Sequence, residues 1–437
     1  MRSTIYALSS GTGRSAIAVV RLSGEGVRDV LTALAGDVPP LRRAVVRRLA
    51  DPATGEMLDE GLVLFFPGPR SYTGEDMAEF HVHGGRAVVA GVLSAIGARP
   101  GCRLAEPGEF TRRAMQNGRL DLTRVEGIAD LIEAETALQR RQALGQAGGR
   151  LAEAVKGWRD ALLDAMAELE ADIDFADEDD VALHGERARV VDGLRRLEQQ
   201  LGAALDDGRR GEILRDGFQV VIAGPPNAGK STLLNRIAQR DVAIVTAAPG
   251  TTRDVLEVHL DLEGLPVTLV DTAGLREAQD EAESIGIARA RDRAAGADLV
   301  LWLSPWDSPV PVPADLDGAL AVTTKIDSAP KASEPGKGIL LSARNGVGLE
   351  TILAAIRDRA AGIVREPGLV SRARHREALA KGLDHLRAAR TGLGQDAYPE
   401  LVAEDLRLAA RALSSVLGEV DVDHVLDRVF AGFCIGK

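Results

Sequence analysis

Cysteine is nearly absent from this chain of 437 residues, occurring only as Cys102 and Cys434. Two thiols support neither a disulfide framework nor a cysteine zinc site, and they suit a reducing cytoplasm. No stretch approaches 18 uninterrupted apolar residues, and residues 1–10 lack a charged head followed by a long apolar core. The expectation is a soluble cytoplasmic protein with no membrane association. An excess of basic charge is also missing, since 53 Lys and Arg face 65 Asp and Glu for a net charge of -12. Any nucleic-acid contact must come from local basic patches and not from bulk charge. Cys434 lies four from the end, but Gly436 is not aliphatic and Lys437 is an unusual last residue, so prenylation is rejected.

What the chain has is a phosphate cradle. Residues 224–231, Gly-Pro-Pro-Asn-Ala-Gly-Lys-Ser, follow the apolar run 218–223 and precede a helical stretch. Gly224 and Gly229 let consecutive N–H groups turn toward a phosphate, and the following helix adds its positive end. Asn227, Ala228, Gly229, Lys230, Ser231 and Thr232 are the candidate contacts, with Lys230 reaching the β- and γ-phosphates and Ser231 offering a hydroxyl to Mg²⁺. A second strand-like run, 265–270, ends in Asp271-Thr272-Ala273-Gly274. There Asp271 can hold Mg²⁺ through water and the Gly274 N–H can sense a γ-phosphate. A third, 319–323, ends in Thr324-Lys325-Ile326-Asp327. The Asp327 carboxylate can accept the two donors on the edge of guanine, a pair adenine lacks. Asn is usual where Thr324 stands, and the change is expected to weaken one buttressing contact. Ser342-Ala343-Arg344, after the run 338–341, fits a backbone clamp for the guanine carbonyl. Four motifs in this order predict a GTPase.

The pattern changes character along the chain. Residues 1–119 alternate short β-rich runs (16–22, 61–66, 78–82) with Gly- and Pro-marked turns and a helical stretch at 87–96, which predicts a small α/β domain. From 122 to about 210 the chain is rich in Ala, Leu, Glu and Arg with apolar spacings of three and four, and helical character returns from about 371 to 430. The fold class expected is therefore multidomain, α/β and α. An N-terminal α/β domain (1–119) is followed by a helical domain in two parts (120–214 and 363–437), with a Ras-like P-loop GTPase domain (215–362) inserted between them.

Further blocks carry a specific resemblance. Ser71-Tyr72-Thr73-Gly74-Glu75-Asp76 with His83-Gly84-Gly85, residues 105–114 (Ala-Glu-Pro-Gly-Glu-Phe-Thr-Arg-Arg-Ala) and residues 117–122 (Asn-Gly-Arg-Leu-Asp-Leu) resemble the tRNA-modification GTPase family called MnmE or TrmE. The likeness continues through Ile173-Asp174-Phe175, Gly250-Thr251-Thr252-Arg253-Asp254, residues 271–276 and the terminal Phe433-Cys434-Ile435-Gly436-Lys437. It implies a homodimer joined by N-terminal domains that bind a folate, 5,10-methylenetetrahydrofolate or formyl-tetrahydrofolate. It also implies a flavoprotein partner, MnmG (GidA), in a heterotetramer. Together the pair places an aminomethyl-type (carboxymethylaminomethyl) group on carbon 5 of the wobble uridine of certain tRNAs.

The resemblance also assigns residues. Leu275 stands where Ras-like GTPases carry a water-orienting Gln and cannot hydrogen-bond, and the family's Glu falls on Glu283, within an acidic run that would otherwise read as a solvated loop. In place of an arginine finger the family binds K⁺, through Asn227 and the carbonyls of Thr246, Ala248 and Thr251, while Thr252 completes the Mg²⁺ shell with Ser231. Arg253 in switch I stays open as a finger. Arg21, Glu79 and Arg119 match folate-contacting positions, with Arg119 where Lys is common. Cys434 invites a nucleophile's role beside the view that it is an ordinary tail thiol.

Two other function classes stay open on the residues alone. A regulatory GTPase would need only the switch segments. A ribosome-assembly GTPase predicts a strongly basic C-terminal domain, whereas Glu and Asp run through 400–427 and the main basic cluster is confined to 372–376.

Overall fold

The computed structural model describes residues 3–11, 13–174, 183–244, 257–271, 296–316, 318–329, 338–364, 366–395, 398–420, 426, 429–430, 432–433 and 435–436. It divides into two compact units, residues 1–129 with 414–437, and residues 130–413.

The first unit is built on six strands, β1 (Thr4–Leu8), β2 (Ser15–Ser23), β3 (Val45–Ala50), β4 (Met57–Phe66), β5 (Met77–Gly84) and β6 (Cys102–Leu104), in the order β3-β4-β5-β2-β1-β6. Alternation along β2 and β5 sends Val20, Leu22, Phe80 and Val82 to one face, where α1 (Val27–Ala35) and α2 (Arg86–Gly97) cover them. Helix α1 buries Val27, Val30, Leu31 and Leu34, the three-four spacing of a helix lying on a sheet. At one end of the opposite face Ile5, Ala7 and Met77 pack with Phe110 of α3 (Glu109–Gln116). The strand runs expected at 16–22, 61–66 and 78–82 lie inside β2, β4 and β5, and the helix expected at 87–96 lies inside α2.

The second unit joins helices to a seven-stranded sheet. The helices before the sheet are α4 (Leu122–Glu133), which spans the boundary of the units, α5 (Ala137–Ala147), α6 (Arg150–Asp174), α7 (Leu183–Asp206) and α8 (Gly208–Asp216). The strands are β7 (Phe218–Ala223), β8 (Ala243–Ile244), β9 (Glu257–Leu262), β10 (Leu265–Asp271), β11 (Leu299–Pro305), β12 (Leu320–Thr324) and β13 (Ile339–Leu340). Their order is β13-β12-β11-β7-β10-β9-β8, with β13 through β10 parallel and β9 and β8 antiparallel. β7 is central, and the chain fills one side of it with β8, β9 and β10 before crossing to β11 on the other. That makes its C-terminal end a topological switch point, where open α/β sheets bind ligands. Helix α9 (Lys230–Ala238) follows β7, and α10 (Leu349–Ile363) follows β13. The chain then returns to helix in α11 (Ala373–Gly394) and α12 (Pro399–Leu417), α12 crossing into the first unit. Helix α11 packs on α7, where Arg387 Nε and Arg390 Nε each donate to the Glu198 carboxylate at 2.9 Å. The seven-stranded sheet is thus an insertion between helices that pack on each other.

Candidate nucleotide-binding site

The site grows from the end of β7. Gly224 has φ 148°, and a Cβ there would lie 2.2 Å from the Leu303 carbonyl oxygen of β11, so the loop leaves the sheet in contact with its neighbour and only glycine fits. Asn227 (φ 60°) and Gly229 (φ 94°) take left-handed conformations, and Gly229 caps α9 with no side-chain acceptor. A helix start left open in this way presents its first-turn amides to an anion.

The chemical groups converge on this turn. Lys230 Nζ donates to Gly224 O at 2.9 Å and Pro225 O at 3.0 Å, across its own loop. Burial pushes its amine below the ordinary lysine value, and the Asp271 charge opposes that shift. Ser231 Oγ donates to Asp271 Oδ2 at 2.8 Å, and Asp271, the last residue of β10, is fully buried. Thr232 is exposed on the first turn of α9.

The motif expected to read the base lies two strands away from β7 and is tied to the loop directly. Thr324 Oγ1 donates to Ala228 O at 2.7 Å in a buried bond. Thr324, which stands where Asn is usual, thus keeps one hydroxyl contact with the loop that follows β7. Lys325 takes φ 60° and leads into the short helical turn Ile326–Ser328. Ser342 Oγ donates to Asp327 Oδ1 at 2.8 Å and accepts the Asn345 N–H at 3.2 Å. The Ser342 hydroxyl holds the Asp327 carboxyl below its ordinary value, and the charge of Arg344, 4.0 Å away, adds to this. Sequence reasoning gave Ser342 a backbone role only. Its hydroxyl bond to a residue 15 positions away depends on β12 lying beside β13, which no local pattern signals. Ala343 lies between these two contacts. Thr246, Ala248, Thr251, Thr252, Arg253, Thr272, Ala273, Gly274, Glu283 and Cys434 lie outside the described residues.

In the first unit Arg21 and Glu79 face each other across β2 and β5, with Nε–Oε1 3.0 Å and Nη2–Oε1 2.9 Å. His81 Nε2 is 3.1 Å from Glu79 Oε2. Arg21 Nη1 also donates to Gly436 O at 3.3 Å, and Ser9 Oγ donates to the same oxygen at 2.9 Å. Sequence reasoning missed this hold on the chain's end. Arg119 is exposed, and among the described residues its side chain bonds to neither Arg21 nor Glu79.

Comparison with known proteins identifies the family. Residues 4–119 match the family profile described as GTP-binding protein TrmE N-terminus, and residues 122–434 match the MnmE helical domain. The chain belongs to the MnmE family of tRNA modification GTPases. It is 53% identical over 445 residues to the tRNA modification GTPase MnmE of Methylobacterium sp. (strain 4-46), covering 100% of both chains. It is 54% identical to that of Azorhizobium caulinodans, covering 99% of each. The FeoB G domain of T. maritima aligns with 32% of the chain and 98% of its own at 24% identity and a TM-score of 0.24. As a member of the MnmE family, the protein hydrolyses GTP in the service of tRNA modification. Its fold class is the one the sequence predicts.

Proposed function

We propose that this chain is a K⁺-dependent GTPase that acts with the flavoprotein MnmG, as a heterotetramer, to add a carboxymethylaminomethyl-type group to C5 of the wobble uridine of certain tRNAs. The observation that carries the guanine-reading part is the bond from Thr324 to Ala228 O, which fixes Asp327 relative to the phosphate loop. Asp327, oriented by Ser342, reads the base, with Lys325, Ala343 and Arg344 completing that pocket. Asn227, Ala228, Gly229, Lys230, Ser231 and Thr232 cradle the phosphates, joined by Thr246, Thr251, Thr252, Thr272, Ala273 and Gly274.

Ser231 and Asp271 set two oxygens close together, the donor type that suits Mg²⁺; Ser231 and Thr252 would hold the ion, with Asp271 acting through water. Asn227, with the carbonyls of Thr246, Ala248 and Thr251, would hold K⁺. When bound, the two cations would supply positive charge where negative charge builds on the phosphates during hydrolysis. Lys230 adds a fixed ammonium there, and Glu283 orients the attacking water.

In the first unit, Arg21 and Glu79 keep side-chain exposures of 23% and 17%, so a guanidinium and a carboxylate stay accessible side by side. With Arg119 they suit the carboxylates and amino group of a folate, which would carry the one-carbon unit. Cys434 sits in the tail whose Gly436 carbonyl Arg21 holds. Exposed Ile17, Val46 and Leu62 share that sheet face by register and support a homodimer formed through N-terminal domains. The reading includes a cytoplasmic protein and the domain boundaries 1–119, 120–214, 215–362 and 363–437. Among the described residues no helix is long and apolar enough to cross a membrane.

The test is GTP turnover in K⁺ against Na⁺, with mass spectrometry of wobble uridine in tRNA from a deletion strain. Turnover should be much faster in K⁺, and Asn227→Ala should remove the difference while leaving nucleotide affinity largely intact. Equal rates in both salts would overturn the K⁺ assignment, and unmodified composition in the deletion strain would overturn the tRNA chemistry.

A further inference from the structure

We propose that Trp306 is the positioning residue of the guanine-reading turn. It follows Pro305, the last residue of β11, and Pro305 pairs in parallel register with Thr324 of β12. Its side chain therefore starts beside the turn that begins at Lys325. Two bonds from Trp306 reach that turn. Its backbone N–H donates to Thr324 O at 3.1 Å, and its indole Nε1–H donates to Ser328 Oγ at 3.0 Å. Ser328 Oγ in turn donates to Lys325 O at 2.8 Å.

The Ser328 N–H also donates to Lys325 O at 3.0 Å, and the indole adds a second hold on the same residue. Lys325 is a non-glycine residue at φ 60°, a conformation that β-carbon sterics disfavour. Asp327 lies between Lys325 and Ser328, so any relaxation of Lys325 re-aims its carboxylate. Thr324 fixes the start of the turn through Ala228 O. The indole fixes its far end through Ser328, and Asp327 is held between the two. Indole is a donor only, which matches a hydroxyl that already donates its single proton to Lys325 O. A phenyl ring keeps most of the packing of the half-buried Trp306 but removes the donor.

This inference rests on reading Asp327 as the residue that recognises guanine. Inosine triphosphate gives the discriminating measurement, because its base lacks the 2-amino group and offers a carboxylate one donor in place of two. Affinities of GTP and ITP are to be measured for the full-length protein, Trp306→Phe, Ser328→Ala and the double variant. Losing one hydrogen bond of ordinary strength should weaken GTP by about 2- to 10-fold. ITP should lose less, so the GTP/ITP ratio narrows. Ser328→Ala should reproduce the narrowing, and the double variant should add little, since both substitutions break one relay. Turnover at saturating GTP should stay unchanged. An unchanged ratio in both single variants, or equal weakening of both nucleotides, would overturn the assignment. Asp327→Asn, measured in parallel against XTP, separates the two levels. If it fails to shift preference from GTP to XTP, the base reading itself falls. If it shifts preference while Trp306→Phe and Ser328→Ala leave the ratio intact, only the role of Trp306 falls.

Discussion

Helix α5 carries Gln139, Gln142 and Gln146 at spacings of three and four, on one face, and each amide donates to a backbone carbonyl. The acceptors are Arg215 O at 3.0 Å, Gly211 O at 2.9 Å and Leu369 O at 2.6 Å. Arg215 and Gly211 belong to α8, which leads into the GTPase sheet, and Leu369 lies in the stretch that leads out of it. The two crossings touch, because a Cβ on Gly211 would lie 1.9 Å from Val370 O. The bonds differ in what their loss leaves behind. Gly211 sits within α8 and keeps its helical donor four residues on, so Gln142→Leu removes a second bond worth about 0.5–1.5 kcal/mol. The same substitution deletes Gln142 Oε1, a buried atom with no partner among the described residues, and that relief is of similar size. Gln142→Leu should therefore fall near neutral. No other donor reaches Leu369 O among the described residues, so Gln146→Leu should cost about 1 kcal/mol after the same relief for its own Oε1. Gln142→Ala adds a cavity and should cost about 2–3 kcal/mol. Gly211→Ala forces backbone apart and should cost about 3 kcal/mol or more. Urea unfolding followed by hydrogen exchange at residues 208–216 and 366–371 reads this order. A Gln142→Leu protein as unstable as Gly211→Ala, or a Gln146→Leu protein with unchanged exchange in the exit stretch, would refute the accounting.

Thr324→Val removes the donor at buried Ala228 O and should destabilise the GTPase sheet by about 1–3 kcal/mol in urea, and wild-type stability would show that this bond is dispensable. In the first unit, burial alone pushes the Glu109 carboxyl up, but hydrogen bonds from Arg103, the Glu106 N–H and Arg113 outweigh it and hold it below the ordinary 4.5. A carboxyl depressed by folding stabilises fully above its unfolded value and loses that contribution as pH falls through the folded one. Glu109→Gln should thus lower stability at pH 7 and flatten the decline below about pH 4.5. A parallel decline in both proteins would show that Glu109 does not set it.

What was legible in the sequence was local. The phosphate loop announces itself because strand, turn glycines, Lys230 and Ser231 are contiguous, and the strands around Val20, Phe65 and Phe80 alternate cleanly. Strand β11 drew no notice, although it lies beside β7 at the centre of the sheet, because a short apolar run next to Pro305 and Trp306 carries no period of its own. Strands β1, β3 and β6 carry no clean period either, whereas β9 (Glu-Val-His-Leu-Asp-Leu) alternates and was missed all the same. Contacts set by register were out of reach. Arg21 meets Glu79 across 58 positions and Gly436 across 415, and each residue alone reads as a surface charge or a tail. The bond from the Thr324 hydroxyl was out of reach too, because it depends on where Ala228 O sits.

These register-set contacts have one arrangement in common. Along the C-terminal edge of the sheet, Asp271 of β10 takes the Ser231 hydroxyl that follows the β7 loop, and Gly224 of that loop lies against Leu303 O of β11. Trp306 after β11 holds Thr324 O of β12, Thr324 reaches back to Ala228 O, and Ser342 after β13 holds Asp327. Five strand ends are thus joined by short bonds or close backbone contact, and groups assigned to metal, phosphate and base are links of one belt. A chain of packed contacts of this kind does not deform one link at a time. Asp271 is the last described residue before the segment assigned to sensing the γ-phosphate. The Ser231 bond to Asp271 and the Thr324 bond to Ala228 O both hold the loop that follows β7. On the proposed assignments, the groups for metal and phosphate and the groups for the base are linked by side chains that bond to one another, and a double-mutant cycle between Ser231→Ala and Thr324→Val that is additive in GTP affinity would refute coupling along this path.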